Sequence, residues 1–385
     1  MEEIVMKRIK AVIAMTVCGL LLSACGNLGS SSTTSTSTTS SKGTQLTGQA
    51  SSGQYQGVIK NGRYRTSKAR GVNVSQNDNT YNLKSFESGL LNISKKVFST
   101  KKYVFEEGQY LSTSTVTNWL GRKSKSNPTG LNPVNNGSTS PTKRNPIYLQ
   151  QMEEQDYMTQ SGKKLKLSGV TIGLGLNSID YYTKTTYGST YETDISNATI
   201  KKEGRIIANQ VLKRLRQKKA LKNVPITIAL YKQASNDSLV GGTFFAYSVN
   251  KAGTTSVSSW TPVSVKNYVY PTTSSSSAVG NSNDESDFSN FKSQIENFFP
   301  NIAGVTAQAQ YTDKQLTGMN VSITTQFYSE TEIISFTQYL KTAAEKYLPS
   351  GAPVDITVSS TEGIQSFLSR SSSGKSFYSH VFSSY

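Results

Sequence analysis

The chain has 385 residues, enough for one large domain or two ordinary ones, and carries 41 Lys and Arg against 24 Asp and Glu, a net charge of +17. Its two cysteines, Cys18 and Cys25, both lie near the start, so the part able to fold has no disulfide, zinc-thiolate centre or cysteine nucleophile. The single histidine, His380, sits close to the C-terminal end, which leaves no basis for a histidine triad or a histidine-rich metal site. The expectation is a protein that is not an enzyme and holds no metal or cofactor.

Lys7, Arg8 and Lys10 precede an apolar run from Ala11 to Leu22 that is too short for a mature membrane span, so residues 1–24 read as a signal peptide. Met6 followed by "KRIKAVIAM" makes a more typical start than the acidic "MEEIV". Leu22-Ser23-Ala24-Cys25 has the form of a lipobox, with small residues before the cut and a thiol on the first mature residue. Cleavage is expected between Ala24 and Cys25, with a diacylglyceryl group on Cys25 as the attachment to the membrane. Each buried methylene contributes about 0.8 kcal/mol, and two chains anchor stably where one does not. The expected location is therefore the extracellular face of the cell membrane. Residues 1–24 hold three basic and two acidic residues, so the remainder keeps a charge of +16. Outside a cell, that charge points to anionic wall polymers or lipid headgroups as partners, and not to nucleic acid.

Residues 25–54 are dominated by Ser and Thr and cannot bury enough apolar surface to offset their ordering entropy, so they read as a flexible stalk. An N-terminal α+β region is expected over 55–160 and a C-terminal α+β region, with two related halves, over 161–385. In the first, short strands and turns follow Tyr55. An amphipathic helix then places Leu83, Phe86, Leu90, Ile93 and Val97 on one side, and a shorter helix at "STVTNWLG" closes at Gly121. Residues 122–146 hold four of the ten prolines and no apolar period, which predicts a long loop. "NPIYLQQMEEQDYM" is a short helix or an extended segment.

The C-terminal region shows an internal echo. Strand "GVTIGLGLNS", a helix through "KKEGRIIANQVLKRLRQKKAL" and strand "VPITIALYK" are matched by "GMNVSITTQFY", "SETEIISFTQYLKTAAEKYL" and "APVDITVSS". The first helix turns Ile207, Val211 and Leu215 to one face; the second turns Ile333, Phe336, Leu340, Ala344 and Tyr347, and opens with a Ser329 to Glu332 capping box. Between them lie a strand "GGTFFAYSVN", a Ser-rich loop, and a helix with Phe288, Phe291, Ile295 and Phe298 inward. The fold class is α+β, mixed sheets with packed helices in two similar strand-helix-strand subdomains.

Chemical motifs are sparse. Ser99 to Lys102 has Ser-x-x-Lys spacing without the partners that give it meaning. Gly173 and Gly175 lack the third glycine of a dinucleotide fingerprint and read as packing positions. Glu106-Glu107 and Glu153-Glu154 are adjacent pairs whose side chains diverge on a strand or helix, so neither alone forms an acid/base dyad, while a distant pairing stays open. Lys213, Arg214, Arg216, Lys218, Lys219 and Lys222 crowd one helix and its end. They read as a solvated basic face, with an anion contact as the functional alternative.

Several blocks carry a resemblance: "YQGVIKNGRYRTSKARG", "SFESGLLNISKKVFSTKKYVFEEGQYLSTSTVTNWLGRK", "GLNPVNNG", "SGVTIGLGLNSIDYY" and "VPITIALYKQASNDSLVGGTFFAY". They are similar to the CamS family of Gram-positive sex-pheromone lipoproteins. The resemblance implies a split role, in which the released leader is trimmed to a hydrophobic peptide that acts in conjugative plasmid transfer while the folded domain has no settled activity. Carried onto this chain, the peptide is Val17, Cys18, Gly19, Leu20, Leu21, Leu22, Ser23 and Ala24, recognised by a pheromone receptor. An envelope-binding module for wall polymer, anionic lipid or peptide is the alternative, and a wall hydrolase is a third.

Overall fold

The computed structural model describes residues 43–49, 53–73, 78–162, 164–272, 281–298 and 302–383. The leader, the lipobox, the Ser/Thr tract up to residue 42 and most of the Ser-rich loop lie outside the described residues.

A small three-stranded sheet, β1 (Thr44–Leu46), β2 (Val58–Lys60) and β3 (Arg63–Tyr64), precedes helix α1 (Thr80–Val97). There follow β4 (Val104–Glu107), α2 (Thr113–Leu120), the long pair β5 (Leu149–Ser161) and β6 (Lys164–Leu176), and the hairpin β7 (Ile179–Thr183) and β8 (Thr190–Asp194). Helix α3 (Asn197–Arg216) then leads to β9 (Ile226–Lys232), β10 (Thr243–Asn250) and β11 (Thr261–Pro262). The second half is β12 (Val265–Tyr270), α4 (Ser282–Phe298), β13 (Ile302–Thr312), β14 (Gln315–Thr325), α5 (Glu330–Tyr347), β15 (Val354–Ser360), β16 (Gly363–Arg370) and β17 (Tyr378–Val381).

The echo in the sequence is a shared topology. One six-stranded sheet has the order β11-β10-β9-β6-β5-β4 and the other β12-β13-β14-β15-β16-β17. In each, the two central strands are parallel, β6 with β9 and β14 with β15, and a helix crosses over between them; the other pairs are antiparallel. Apart from the β7–β8 hairpin inserted before α3, the order strand, helix, strand, strand, helix, three strands is the same in both halves, so the fold is α+β with two similar sheet subdomains. β5 and β6 pair along their length, so the first sheet carries residues from both sides of position 160.

The periodic residues bury as their spacing requires. Ile207, Ala208, Val211, Leu212 and Leu215 of α3 pack on Ile172, Leu174, Ile228 and Leu230, while Phe288, Phe291, Phe336 and Leu340 build the second core on Val321, Ile356 and Val358. Each such side chain contributes about 1.5–3 kcal/mol when removed from water. Caps set the starts of the helices: the Asn79 side chain accepts from the Tyr81 N–H, Ser112 from Thr115, and Ser196 from Thr199. Two expectations change. Ser329 occupies the N-cap of α5 but makes no side-chain cap, its hydroxyl pairing instead with the Thr331 hydroxyl at 3.3 Å, so the capping box does not form. Phe298 is 46% exposed and not inward, its ring lying flat on Tyr339 at 3.7 Å between centroids. Leu83 and Val97 lie at the flanks of the buried stripe of α1 and are only half-buried.

The halves differ in one respect. The sheet-1 face opposite α3 is covered by α1, where Phe86, Leu90 and Ile93 meet Ala229, Tyr231 and Phe244. Gly173 is required there, since a Cβ would sit 2.6 Å from the Phe86 ring. On sheet 2 the corresponding face carries alternating exposed polar residues along β14.

Candidate functional site

The block "FEEGQYL" and the strand "MEEQDY" bring together three buried acids, Glu106, Glu154 and Asp156. β4 pairs antiparallel with β5 so that Glu106 stands opposite Asp156 and Glu107 opposite Gln155. The adjacent acids point to opposite faces, as their alternation on a strand dictates, and the pairing across strands gathers Glu106, Glu154 and Asp156 on one face.

After β4 the chain turns at Gly108, whose N–H donates to the Glu154 carbonyl at 3.0 Å. A Cβ at residue 108 would lie 2.5 Å from that of Glu154, so only glycine allows the approach. The next three backbone N–H groups are then spent on carboxylates: Gln109 donates to Asp156 at 2.9 Å, and Tyr110 and Leu111 donate to Glu154 at 3.0 and 2.8 Å. Arg65 supplies the cation, donating to Glu106 at 2.7 Å.

Burial dominates the charge state. It raises Glu154 from 4.5 to about 7 against the lowering effect of the Leu111 and Tyr110 N–H groups, and it holds Asp156 well above the usual carboxylate range, reinforced by the neighbouring Glu154. On the opposite face burial raises Glu153 to about 8, although Gln155 donates to it at 2.9 Å. Leu83, Phe105, Leu111 and Met152 line an adjoining cavity of about 170 Å³ with Glu153, Glu154 and Arg70. The cluster therefore ties the turn after β4 to β5 through acids, Glu154 and Asp156, that burial biases toward their protonated forms. Glu154 and one oxygen of Asp156 accept backbone donors, so this pair serves as a lock on the chain.

The loop of residues 122–146 has no strand or helix, yet Asn132 fixes it. Its amide nitrogen donates to the Leu120 and Leu149 carbonyls at 2.7 and 2.8 Å, and its oxygen accepts from the Tyr148 and Leu149 N–H groups at 2.8 Å each. Arg144 of the same loop is paired with Asp180 and stacks on Tyr182 at 3.9 Å. Ser99 to Lys102 forms a tight turn in which the Lys102 N–H donates to the Ser99 carbonyl at 3.0 Å and its ammonium lies over the Tyr103 ring.

The basic helix end divides. Arg216 is buried and donates to the carbonyls of Leu221, Val224, Lys251 and Thr254 at 2.6–2.8 Å, which takes it out of the set available to an external anion. Arg214 donates to the Thr129 carbonyl at 2.7 Å and lies over Trp119. Lys213, Lys219 and Lys222 are exposed and Lys218 half-buried. The signal for Arg216 was in the sequence: Gly204, Ala208, Leu212 and Arg216, four apart, form a second buried row on α3. Val17 to Ala24 and Cys25 lie outside the described residues. No described helix is long and apolar enough to cross a membrane, and no described group of His, Cys, Asp and Glu could hold a metal ion.

A family model described as CamS sex pheromone cAM373 precursor matches residues 64–376. The chain belongs to the CamS family. Among solved structures it is similar to a sex pheromone precursor from Lactobacillus salivarius subsp. salivarius UCC118, with 56% identity and a TM-score of 0.85 over 89% of this chain and 100% of that one. It is also similar to the C-terminal domain of the sex pheromone staph-cAM373 precursor from Staphylococcus aureus, with 30% identity and a TM-score of 0.68 over 80% of this chain and 99% of that one. No curated protein matches it. The "FEEGQYL", "GLNPVNNG" and "VGGTFFAY" blocks that carry the family resemblance all lie within the matched residues, and the first two hold the Gly108 turn and the Asn132 staple.

Proposed function

We propose that this CamS protein is exported as a lipoprotein precursor, cut between Ala24 and Cys25, held on the outer face of the membrane through a diacylglyceryl group on Cys25, and that its leader yields a peptide pheromone from Val17–Ala24. The observation that carries this is the sequence Leu22-Ser23-Ala24-Cys25 directly after an apolar run, in a chain whose later residues match a pheromone-precursor family. A short uncharged apolar segment can leave a bilayer after proteolysis and enter a receptor pocket with few polar groups to desolvate. Cys18 gives the peptide an oxidisable thiol. Synthetic "VCGLLLSA" and its trimmed forms, kept reduced, are expected to induce plasmid transfer in a responder strain. Silence across a panel of responders would reject the pheromone role.

A second role is favoured by the exposure of Lys213, Lys219 and Lys222 at the end of α3, where the helix dipole also favours cations. These residues, with Arg214 and Lys218, form a contact for anionic wall polymer or lipid headgroups.

A further inference from the structure

The uncovered face of sheet 2 and the cleft at its edge are used by none of the above. We infer that they form a binding site for a neutral glycan chain containing N-acetylhexosamine units.

The cleft is a cavity of about 310 Å³, at the lower end of the roughly 300–1,000 Å³ typical of ligand pockets. Tyr81, Lys84 and Ser88, one surface stripe of α1, line one side, and Gln308, Asn320 and Asp355 of sheet 2 line the other. Gly241 closes the approach, for a Cβ there would meet the Tyr81 carbonyl at 2.4 Å. Two hydrogen bonds tie the halves together at this point: Asn267 donates to the Gly241 carbonyl at 2.9 Å, and Gln308 donates to the Leu239 carbonyl.

From the cleft the sheet register continues the polar surface in two rows. Gln308, Asn320, Asp355, Ser369 and Tyr378 are successive cross-strand partners, and beside them run Thr306, Ser322, Thr357, Phe367 and His380. With strands about 4.8 Å apart, each row spans roughly 19 Å from β13 to β17. The rows end on a platform of rings. Phe367 lies 5.8 Å from His380 and 6.0 Å from Phe382, and Tyr378 and Phe382 are 63% and 47% exposed. A group of exposed rings of this kind marks an interaction surface.

Charge decides the class of ligand. In a chain of +17, the ten residues of the two rows include no Lys or Arg and one carboxylate, Asp355, which faces the cleft with Lys84. A polyanion would find no cations along this track. A neutral sugar chain matches it: hydroxyl and amide side chains supply donors and acceptors for ring hydroxyls, and aromatic faces, negative at their centres, attract the slightly positive C–H face of a sugar. The Asn320 amide favours an acetamido group, which needs a donor and an acceptor together, while Gln308 keeps its carbonyl oxygen as an acceptor. Among the described residues, the Asn320 amide has no protein partner, although it lines the cavity.

The site is tested on the full mature chain by NMR titration with a soluble β-linked N-acetylglucosamine tetramer, its dimer, and a glucose tetramer. The tetramer of N-acetylglucosamine should bind, and Tyr81→Ala or Asn320→Ala should weaken it by about tenfold. These are exposed positions, and circular dichroism with thermal unfolding confirms that each variant is folded. Phe382→Ala should weaken the tetramer and leave the dimer unaffected, because the platform lies at the far end of the rows. The proposal is overturned by absence of binding to the folded protein, by equal binding of the glucose tetramer, or by variants that bind as the parent does. It is equally overturned if sedimentation shows a dimer of this chain, lost in Phe382→Ala, as the occupant of the face. None of these outcomes depends on the fate of the leader.

Discussion

Replacing Asn132 by Ala removes one buried side chain and its four hydrogen bonds, two given to the Leu120 and Leu149 carbonyls and two taken from the Tyr148 and Leu149 N–H groups. At a net 0.5–1.5 kcal/mol each, their loss amounts to about 4 kcal/mol. That is a large part of the 5–15 kcal/mol typical of a folded domain. Asn132→Asp keeps the size and both accepted bonds but sets a carboxylate oxygen against two carbonyls. It should therefore be more harmful at pH 7 than at pH 4, where a protonated acid can restore one donor. Urea unfolding gives the free energy, and amide hydrogen exchange at Tyr148 and Leu149 locates it. Both amides should exchange faster in Asn132→Ala even where the cores of the two sheets stay protected. A loss below about 1 kcal/mol with unchanged exchange at these amides would refute the reasoning, since a side chain that holds a loop by four bonds cannot be neutral.

The buried acids make stability depend on pH. Burial holds Glu153 protonated to about 8 and Glu154 to about 7, against 4.5 in an exposed carboxyl, so between those values the native state binds more protons than the unfolded chain. Their contribution is complete below about 4.5 and is lost as pH rises toward 8; Glu153→Gln should flatten that decline in thermal unfolding followed across this range. Gly108→Ala drives a Cβ into Glu154 and should cost about 1–3 kcal/mol by urea unfolding, whereas the same change at Gly137, whose Cβ would meet nothing within 4 Å, carries only the strain of its positive φ. Charge reversal at Lys213, Lys219 and Lys222 should reduce co-sedimentation with anionic vesicles at low salt and leave the unfolding midpoint unchanged, and undiminished binding would remove the anion contact.

The two related halves were legible because each is built on a strand, an amphipathic helix and a strand whose periods survive in isolation. What local pattern did not show is register. Glu106 and Asp156 are fifty residues apart in sequence and meet only because β4 pairs with β5, so "FEEGQYL" read as two diverging acids with no visible partner. The loop of residues 122–146 was recognised as irregular, but a loop held by a few of its own side chains, Asn132 and Arg144 among them, has the same composition as a free one. Arg216 read as part of a solvated charge run because the charge masked its place in a buried row of α3. The uncovered face of sheet 2 was also out of reach, since alternating Ser, Thr and Asn on a strand does not say whether a helix lies over them. Phe298 shows the limit of periodicity, for it continues the apolar stripe of α4 and yet stacks on the outside of the bundle against Tyr339.

The central claim is that processing at one bond separates a peptide leader from a lipid-anchored domain, and the mature N-terminus reports on it most directly. Intact-mass analysis of the membrane-extracted protein, with fragmentation of its first peptide, should give a chain that begins at Cys25 and carries the added mass of a diacylglyceryl group. A chain that starts elsewhere, or a Cys25 without lipid, would contradict the anchor and the release of Val17–Ala24 together.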